Sequence, residues 1–189
     1  MKHIILIGDS IRVGYAPYVG EELSGRANVW GPEKNGGTSE NVLNNLGEWV
    51  LSRKADVVHM NAGLHDLKKG FEQEENNIPV QQYAENVRAI LTGMKEGLSA
   101  RLIWALITPV NEKWHHERKG FDRFEADVLA FNKAAKQVAV ECGVEVHDLY
   151  QVVVDAGPDK LLRPDGVHFT PEGSALLGKK VAEMVMQQS

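Results

Sequence analysis

Short runs of consecutive apolar residues alternate along the chain with longer segments in which apolar residues recur every three or four positions. The short runs occupy residues 4–8, 55–61, 101–107 and 144–148, with a weaker run at 27–30. Consecutive apolar positions are typical of parallel strands that are covered on both faces of a sheet. The pattern therefore predicts five parallel strands.

Three longer segments have the apolar periodicity of amphipathic helices: residues 83–98, residues 122–140 and a segment close to the C-terminus. The second helix is predicted to begin at Asp122, because Glu125 three positions later would complete a variant of the capping box. Thr170 is predicted to cap the last helix, with Pro171 as its first residue.

The alternation of strands and helices predicts an α/β fold, a three-layer α/β/α sandwich with a central parallel sheet of about five strands. Residues 1–189 contain no internal repeat, linker or low-complexity segment, which indicates a single domain. Ligand sites of such sheets lie beyond the carboxyl ends of the strands. The segment after each predicted strand is rich in Gly, Asn, His, Asp or Ser, so we expect the functional site at that edge.

The amino-acid composition limits which binding partners and which cellular location are expected. The 189 residues are 43% hydrophobic and 25% charged, as in an ordinary globular protein. The net charge of −5 and the lack of a polybasic run argue against nucleic acid or an anionic membrane surface as a partner. The N-terminal apolar run is too short for a signal peptide or a membrane span, so a cytoplasmic location is expected. The single cysteine, Cys142, allows no intramolecular disulfide and is predicted to be a buried thiol at the end of a helix.

Two kinds of site are poorly supported. The sequence GPEKNGGT at residues 31–38 has the glycine spacing of a phosphate-binding loop, but Gly37 stands where that loop needs a lysine. The seven histidines are scattered, and no HExxH, CxxC or dense cluster of acidic residues and histidines occurs. His59, within a predicted strand, is interpreted as an interior group rather than a ligand. We therefore expect no catalytic metal, and the sequence indicates no other cofactor.

Nucleophilic catalysis fits the strand exits better. Ser10 lies where the first predicted strand gives way to a helix, and the free N–H groups of a helix start favour an anion. Asp165 and His168 lie three residues apart, and a histidine base needs a carboxylate to orient it. The same D-x-x-H sequence also suits an ordinary turn at a helix entry. Gly36, in the loop after the second strand, would allow a substrate to approach the backbone closely, although it can equally be a plain loop glycine.

Four motifs occur in a specific order: GDS after the first strand, G-x-T after the second, G-L-H-D after the third, and D-G-V-H before the last helix. In this order the chain resembles the SGNH hydrolases, also called GDSL-type esterases, over nearly its whole length, residues 4–184. The resemblance implies a flavodoxin-like α/β fold. It also implies Ser10 as the nucleophile, Asp165 as the acid, His168 as the base, and the backbone N–H groups of Ser10 and Gly36 as oxyanion donors.

One position departs from the pattern of that family. The third motif is usually G-x-N-D, in which the asparagine side chain is the third oxyanion donor, whereas here His65 occupies that position. A neutral imidazole has one N–H and can donate if the proton is on the inward nitrogen. A protonated imidazole would be a stronger donor and would make activity depend on pH. His65 is either a working substitute or a damaged oxyanion hole, and Asp66 is expected to anchor the loop.

Two segments, residues 68–82 and 111–125, are predicted to form the rim of the site. The candidate rim residues are Asp9, which also suits a cap of the first helix, and Trp114, His115 and His116. The three residues 114–116 can equally belong to an exposed loop or a subunit contact. Neither segment has a long apolar run for a fatty chain, which favours a small acyl group such as acetyl on a polar or carbohydrate alcohol.

The sequence thus predicts a serine hydrolase that cleaves carboxylic esters through an acyl-enzyme. Two alternatives stay open: a binding module for acetylated glycans on the same fold, and a thioesterase or lysophospholipase of the same family. The expected partner is a small-molecule ester or an acetylated carbohydrate, and the residues do not indicate an oligomeric state.

Overall fold

The computed structural model describes residues 1–187, and its centre is a sheet of five strands. The strands are β1 (Lys2–Ile7), β2 (Ala27–Trp30), β3 (Val57–Met60), β4 (Arg101–Ala105) and β5 (Glu145–His147). They pair in the order β2-β1-β3-β4-β5, and every neighbouring pair is parallel. The predicted α/β fold with a parallel sheet of about five strands is confirmed.

The helices cover both faces of the sheet. They are α1 (Ser10–Glu22), α2 (Ser39–Asn44), α3 (Val80–Gly97), α4 (Glu112–Arg118), α5 (Glu125–Glu141), α6 (Leu149–Ala156), α7 (Pro158–Leu161) and α8 (Pro171–Met186), with a π-helix at Gly47–Leu51. Helix α1 packs against α8, while α3 packs against α2 and α5. The chain leaves β1 toward β2 and then returns past β1 to β3. Right-handed crossovers in these opposite directions put the two groups of helices on opposite faces.

The strands form because their apolar residues are buried on both faces. The last four residues of β1 and all four residues of β3 are buried, and β4 has four consecutive buried residues. Such strands can satisfy their backbone groups only by pairing with one another. The carboxyl edge of this buried, paired sheet carries the polar loops.

The start of α5 differs from the prediction. The helix begins at Glu125, its cap residue Phe124 makes no side-chain capping bond, and the predicted capping box from Asp122 is wrong. Asp122 instead forms an isolated antiparallel bridge with Lys69, with N–H to O distances of 2.7 and 2.9 Å. This pairing holds the backbone extended at Asp122, while the Glu125 carboxylate accepts from the Val110 N–H.

The other end of the chain follows the prediction. The Thr170 hydroxyl accepts from the N–H of Gly173, and Pro171 is the first residue of α8. Cys142 ends α5 as predicted, but it is only half-buried, so the expected burial of its thiol is wrong. No helix in residues 1–187 is both long enough and apolar enough to cross a membrane.

Candidate active site

Ser10 lies at the junction of β1 and α1. It is the first residue of the helix, and Asp9 before it caps α1 by accepting from the N–H of Ile11 at 2.9 Å. The Ser10 N–H has no acceptor among residues 1–187. The helix start thus presents a free backbone donor and a hydroxyl at the same place, as required to attack a carbonyl and hold the resulting oxyanion.

His168 connects Ser10 to Asp165. The Ser10 hydroxyl lies 2.9 Å from His168 Nε2, and His168 Nδ1 lies 2.6 Å from Asp165 Oδ2. Partial burial alone would raise the pKa of Asp165, but the hydrogen bonds from the His168 ring and from the N–H groups of His168 and Val167 lower it to about 2. The carboxylate therefore stays ionised and holds the proton of the ring on Nδ1, which leaves Nε2 to accept from the serine.

His115 contacts the loop that carries Asp165 and His168. Its ring is completely buried, and its Nδ1–H donates to the backbone carbonyl of Asp165 at 3.0 Å. Gly166 has a φ of +73°, and a Cβ there would lie 2.4 Å from the carbonyl oxygen of Asn111. Only glycine allows the loop to pack this closely against the start of α4.

Gly36 does not offer a free donor. Its N–H donates to the carbonyl of Gly8 at 2.9 Å, so the predicted oxyanion donor is already engaged. The loop before α2 packs directly on the end of β1, and a Cβ at Gly36 would lie 2.7 Å from the Gly8 oxygen. The sequence predicted a close approach between the Gly36 backbone and a substrate. In the structure the group that lies close to the Gly36 backbone is the carbonyl of Gly8.

His65 is half-buried beside this loop. Its Nε2 lies 3.5 Å from Asn35 Nδ2, while Asn35 Oδ1 accepts from the N–H of Gly37 at 2.8 Å and so fixes the amide. Burial lowers the pKa of His65, and nearby Arg123 and Lys68 add to this effect against the opposing charge of Asp9. The ring is therefore neutral near pH 7, and its single proton can be on either nitrogen.

Asp66 anchors the loop that carries His65, as the sequence indicates. Its buried carboxylate accepts from both the N–H and the hydroxyl of Ser39, the first residue of α2. Asn86 on α3 donates to the same hydroxyl at 2.9 Å. Burial raises the pKa of Asp66 to about 6 despite these hydrogen bonds. The third and second strand exits are thus tied together.

The four predicted rim residues have different surroundings. Asp9 is 1% exposed and His115 is completely buried, so neither lies on the rim. Trp114 is half-buried and packs against the core, while His116 is exposed and its Nδ1 pairs with Asp122. The two rim segments themselves do meet, through the bridge between Lys69 and Asp122.

Sequence reasoning missed two buried arginines and one amide at this edge. Arg12, the third residue of α1, donates to the carbonyl of Lys34 at 2.9 Å, and Arg123 donates from Nε to the carbonyl of Leu64 at 2.6 Å. The amide is Asn35, described above. The sequence offered one indication of these residues: they lie in segments that were already predicted to border the site. These segments are GDSIR, KNGG and FDRFE.

The site opens onto a surface cavity of about 490 Å³ lined by Arg118, Arg163, Pro164, Asp165 and His168. Another cavity, of about 460 Å³, lies at the opposite edge, around the starts of β4 and β5. Within residues 1–187 no three His, Cys, Asp or Glu side chains are grouped to hold a metal ion.

The strand order β2-β1-β3-β4-β5 is that of flavodoxin-like doubly wound sheets, and Ser10 lies at the exit of the first strand. A sequence profile of the GDSL-like Lipase/Acylhydrolase family matches residues 6–176. The chain therefore belongs to this family. The predicted resemblance to the SGNH or GDSL-type hydrolases is confirmed.

Individual relatives agree with this assignment. The chain is 28% identical over 122 residues to the isoamyl acetate-hydrolyzing esterase 1 homolog of Homo sapiens, which covers 61% of this chain and 49% of that protein. For the Rattus norvegicus homolog the identity is 28% over 138 residues, covering 65% and 55%. The chain thus spans about half the length of these curated relatives.

Solved structures extend the likeness to the whole chain. The lipase/acylhydrolase from Enterococcus faecalis superposes with a TM-score of 0.79 at 25% identity, covering 100% of both chains. The acetyl xylan esterase AlAXEase superposes with a TM-score of 0.77, covering 97% of this chain and 100% of the other. At 18% identity the second likeness concerns the fold alone.

Proposed function

We propose that this protein is a serine esterase in which Ser10 is the nucleophile, His168 the general base and Asp165 the residue that orients the base. The observation that carries the proposal is the continuous hydrogen-bonded path from the Ser10 hydroxyl through His168 to Asp165, at 2.9 and 2.6 Å. Such a path lets one histidine accept the serine proton and later return it to a leaving group.

The proposed reaction has two halves. Ser10 Oγ attacks the ester carbonyl while His168 Nε2 takes its proton, and the protonated ring then gives that proton to the departing alcohol. Water repeats the sequence on the acyl-enzyme and releases the acid. Asp165, whose pKa is lowered to about 2, stays ionised and stabilises the imidazolium that forms twice in each turnover.

In this proposal the oxyanion is held by the Ser10 N–H, the His65 ring and the Asn35 amide. The Gly36 N–H is engaged with Gly8, so the donors must come from elsewhere. The 3.5 Å between His65 Nε2 and Asn35 Nδ2 is too long for a good hydrogen bond. An oxygen between the two nitrogens could accept from both, with the His65 proton on Nε2.

For the substrate we propose a short acyl group, acetyl in particular, on a polar or carbohydrate alcohol. The curated relatives are named for the hydrolysis of an acetate ester. The cavity beside His168 is lined by two arginines and a proline rather than by an apolar channel, which suits a polar alcohol and not a long acyl chain.

The test is Ser10→Ala assayed on p-nitrophenyl acetate and on longer p-nitrophenyl esters. We expect this variant to lose activity by roughly 10³-fold or more, because the nucleophile and the base act as a unit. Ser24→Ala, which changes an exposed serine, is the matched control and should behave as the wild type. A fluorophosphonate probe should label the wild type and not Ser10→Ala. Full turnover or labelling of Ser10→Ala would exclude Ser10 as the nucleophile.

A further inference from the structure

Arg123 is a buried cation beside the proposed site. Its residue surface is only 6% exposed, although it lies between two helices in one of the rim segments. Its Nε donates to the carbonyl of Leu64, the residue before His65. Its guanidinium also lies over the Phe121 ring, with Cζ 4.9 Å from the ring centroid. Both contacts fix the plane of the guanidinium.

The same contacts connect Arg123 to the other side of the site. The Phe121 ring packs edge-on against His115 with centroids 5.2 Å apart, and His115 holds the carbonyl of Asp165. Arg123 therefore lies between the backbone that carries His65 and the support of the loop that carries Asp165 and His168. A group bound to it would be close to a substrate held at Ser10.

The two terminal nitrogens of Arg123 have no partner. Neither Nη1 nor Nη2 donates to any acceptor in residues 1–187, and no carboxylate there lies within ion-pair distance of the guanidinium. Neither nitrogen is among the polar atoms of that part of the chain that are both fully buried and unsatisfied, so solvent reaches them. A buried arginine without a counter-ion is costly unless an anion can reach it.

A second cation lies beside Arg123. Lys68 Nζ lies 5.5 Å from the Phe121 centroid, on the ring that Arg123 also contacts. The negative charges of Asp9 and Asp165 act on Arg123 through space. Neither carboxylate forms an ion pair with it in the described residues, and their oxygens accept instead from Ile11 and Asn61 and from His168. The chain as a whole carries a net charge of −5, so this concentration of unpaired cations is a local feature.

We propose that Arg123 binds a carboxylate carried by the substrate, so that the preferred substrates are anionic esters. This inference rests on the proposed esterase function and specifies its substrate class. With Nε occupied by Leu64, the free edge of the guanidinium is the Nη1–Nη2 fork, which matches the two oxygens of one carboxylate. Lys68 adds a second positive charge without a fixed geometry.

The experiment compares esters that differ only in this charge. Wild-type enzyme is assayed on para- and meta-acetoxybenzoate and on their neutral methyl esters, which share the acetyl group and the ring. The two isomers put the carboxylate at different distances from the scissile carbonyl. We expect kcat/KM for one acid isomer to exceed that of its methyl ester by roughly tenfold to a hundredfold, as for a charge-assisted bidentate pair.

Variants then assign the preference to Arg123. In Arg123→Gln the ratio of the two kcat/KM values should fall to near one, and in Arg123→Lys it should be intermediate. Arg26→Gln, an exposed arginine elsewhere, is the matched control and should keep the wild-type ratio. If Arg123→Gln does not fold, two wild-type measurements replace it: inhibition by para-hydroxybenzoate against its methyl ester, and loss of the preference in high salt.

The outcomes separate this inference from the function on which it rests. Hydrolysis of acid and methyl ester with equal kcat/KM by the wild type would overturn the carboxylate site and leave the esterase proposal intact. Hydrolysis of neither would overturn the esterase proposal. A stronger preference for para-acetoxyphenyl phosphate than for either acetoxybenzoate would assign Arg123 to phosphate esters and overturn the carboxylate assignment.

Discussion

At the scale of single residues, the chemistry proposed for this site depends on which N–H groups are free. Ser10 begins a helix and keeps its N–H unpaired, while the N–H of Gly36 is bonded to Gly8 only 2.9 Å away. The imidazole of His65 and the amide of Asn35, whose nitrogens lie 3.5 Å apart, are then the two side-chain donors proposed for the oxyanion. His65 is therefore the residue at which a substitution is most informative.

Replacing His65 by alanine should lower kcat/KM for p-nitrophenyl acetate by roughly 10²–10³-fold, the usual cost of losing one oxyanion donor. His65→Asn restores an N–H donor and should stay within about tenfold of the wild type. Because burial lowers the pKa of His65 and keeps the ring neutral, neither variant should shift the pH profile between pH 6.5 and 8. Wild-type turnover in His65→Ala would remove His65 from the oxyanion hole.

The residues that the motifs single out do meet in the structure, whereas the contacts that arise from packing could not be predicted from the motifs. Ser10, Asp165 and His168 follow from the order of the motifs, and they lie within hydrogen-bonding distance as the prediction requires. The state of the Gly36 N–H depends on how two strand exits pack, and this is not encoded within either motif. Arg123 lies in a segment whose apolar periodicity predicted the start of a helix. Its contact with the Phe121 ring and its lack of an ion-pair partner depend on packing and could not be predicted from that pattern.

At the scale of elements, helix α1 connects two halves of the site. Its first residue is Ser10, and two residues later the buried Arg12 donates from Nη2 to the carbonyl of Lys34 at 2.9 Å. The same nitrogen lies 3.4 Å from the carbonyl of Gly8. The helix that presents the serine therefore also fixes the loop that carries Asn35.

Arg12 is thus a positioning residue, and Arg12→Met should affect kcat more than KM. The methionine fills similar space but leaves the loop before α2 without its hydrogen bond, so its donors are held less well. We expect kcat to fall roughly tenfold and the free energy of unfolding to fall by about 1–3 kcal/mol. Arg12→Lys, which can still donate to Lys34, should recover part of kcat. An unchanged kcat in a destabilised Arg12→Met would show that Arg12 serves stability alone.

Elements with long periodic patterns were predictable, whereas their boundaries near the rim were not. All five strands and the helices α3, α5 and α8 occur where the apolar pattern indicates them. The start of α5 was misplaced because Asp122 pairs with Lys69, more than fifty residues earlier in the chain. A local capping signal cannot compete with a backbone pairing that only the tertiary structure brings about.

At the scale of the whole molecule, the distribution of buried ionisable groups links folding to pH. Burial lowers the pKa of four histidines, His59, His65, His115 and His147, the last to about 4. His59 and His147 share a hydrogen bond of 3.0 Å on the sheet. Burial lowers the pKa of His147 although the charges of Asp148 and Glu183 oppose this. Asp66, a buried carboxyl group whose pKa burial raises to about 6, acts in the opposite direction.

The sign of the effect follows from proton uptake. Below about pH 6.5 the histidines of the unfolded chain become protonated, while these four stay neutral in the folded state until the pH falls further. The unfolded state then binds more protons, so the free energy of unfolding decreases as the pH falls. Asp66 binds its proton more tightly in the folded state between about pH 6 and 4, and this offsets part of the loss.

We therefore expect the free energy of unfolding, measured with urea, to be nearly constant from pH 8 to 7 and to fall between pH 6.5 and 5. The slope should be on the order of 1 kcal/mol per pH unit for each histidine that stays neutral, reduced by the contribution of Asp66. His147→Gln removes one of these groups, so its stability should decline less steeply than that of the wild type over the same interval. At pH 8 none of these four histidines is charged in either state, which makes that pH the internal control for any loss of packing. Equal slopes for the two proteins below pH 6.5 would mean that His147 titrates alike in the folded and unfolded chains, and that its burial beside His59 has no cost in acid.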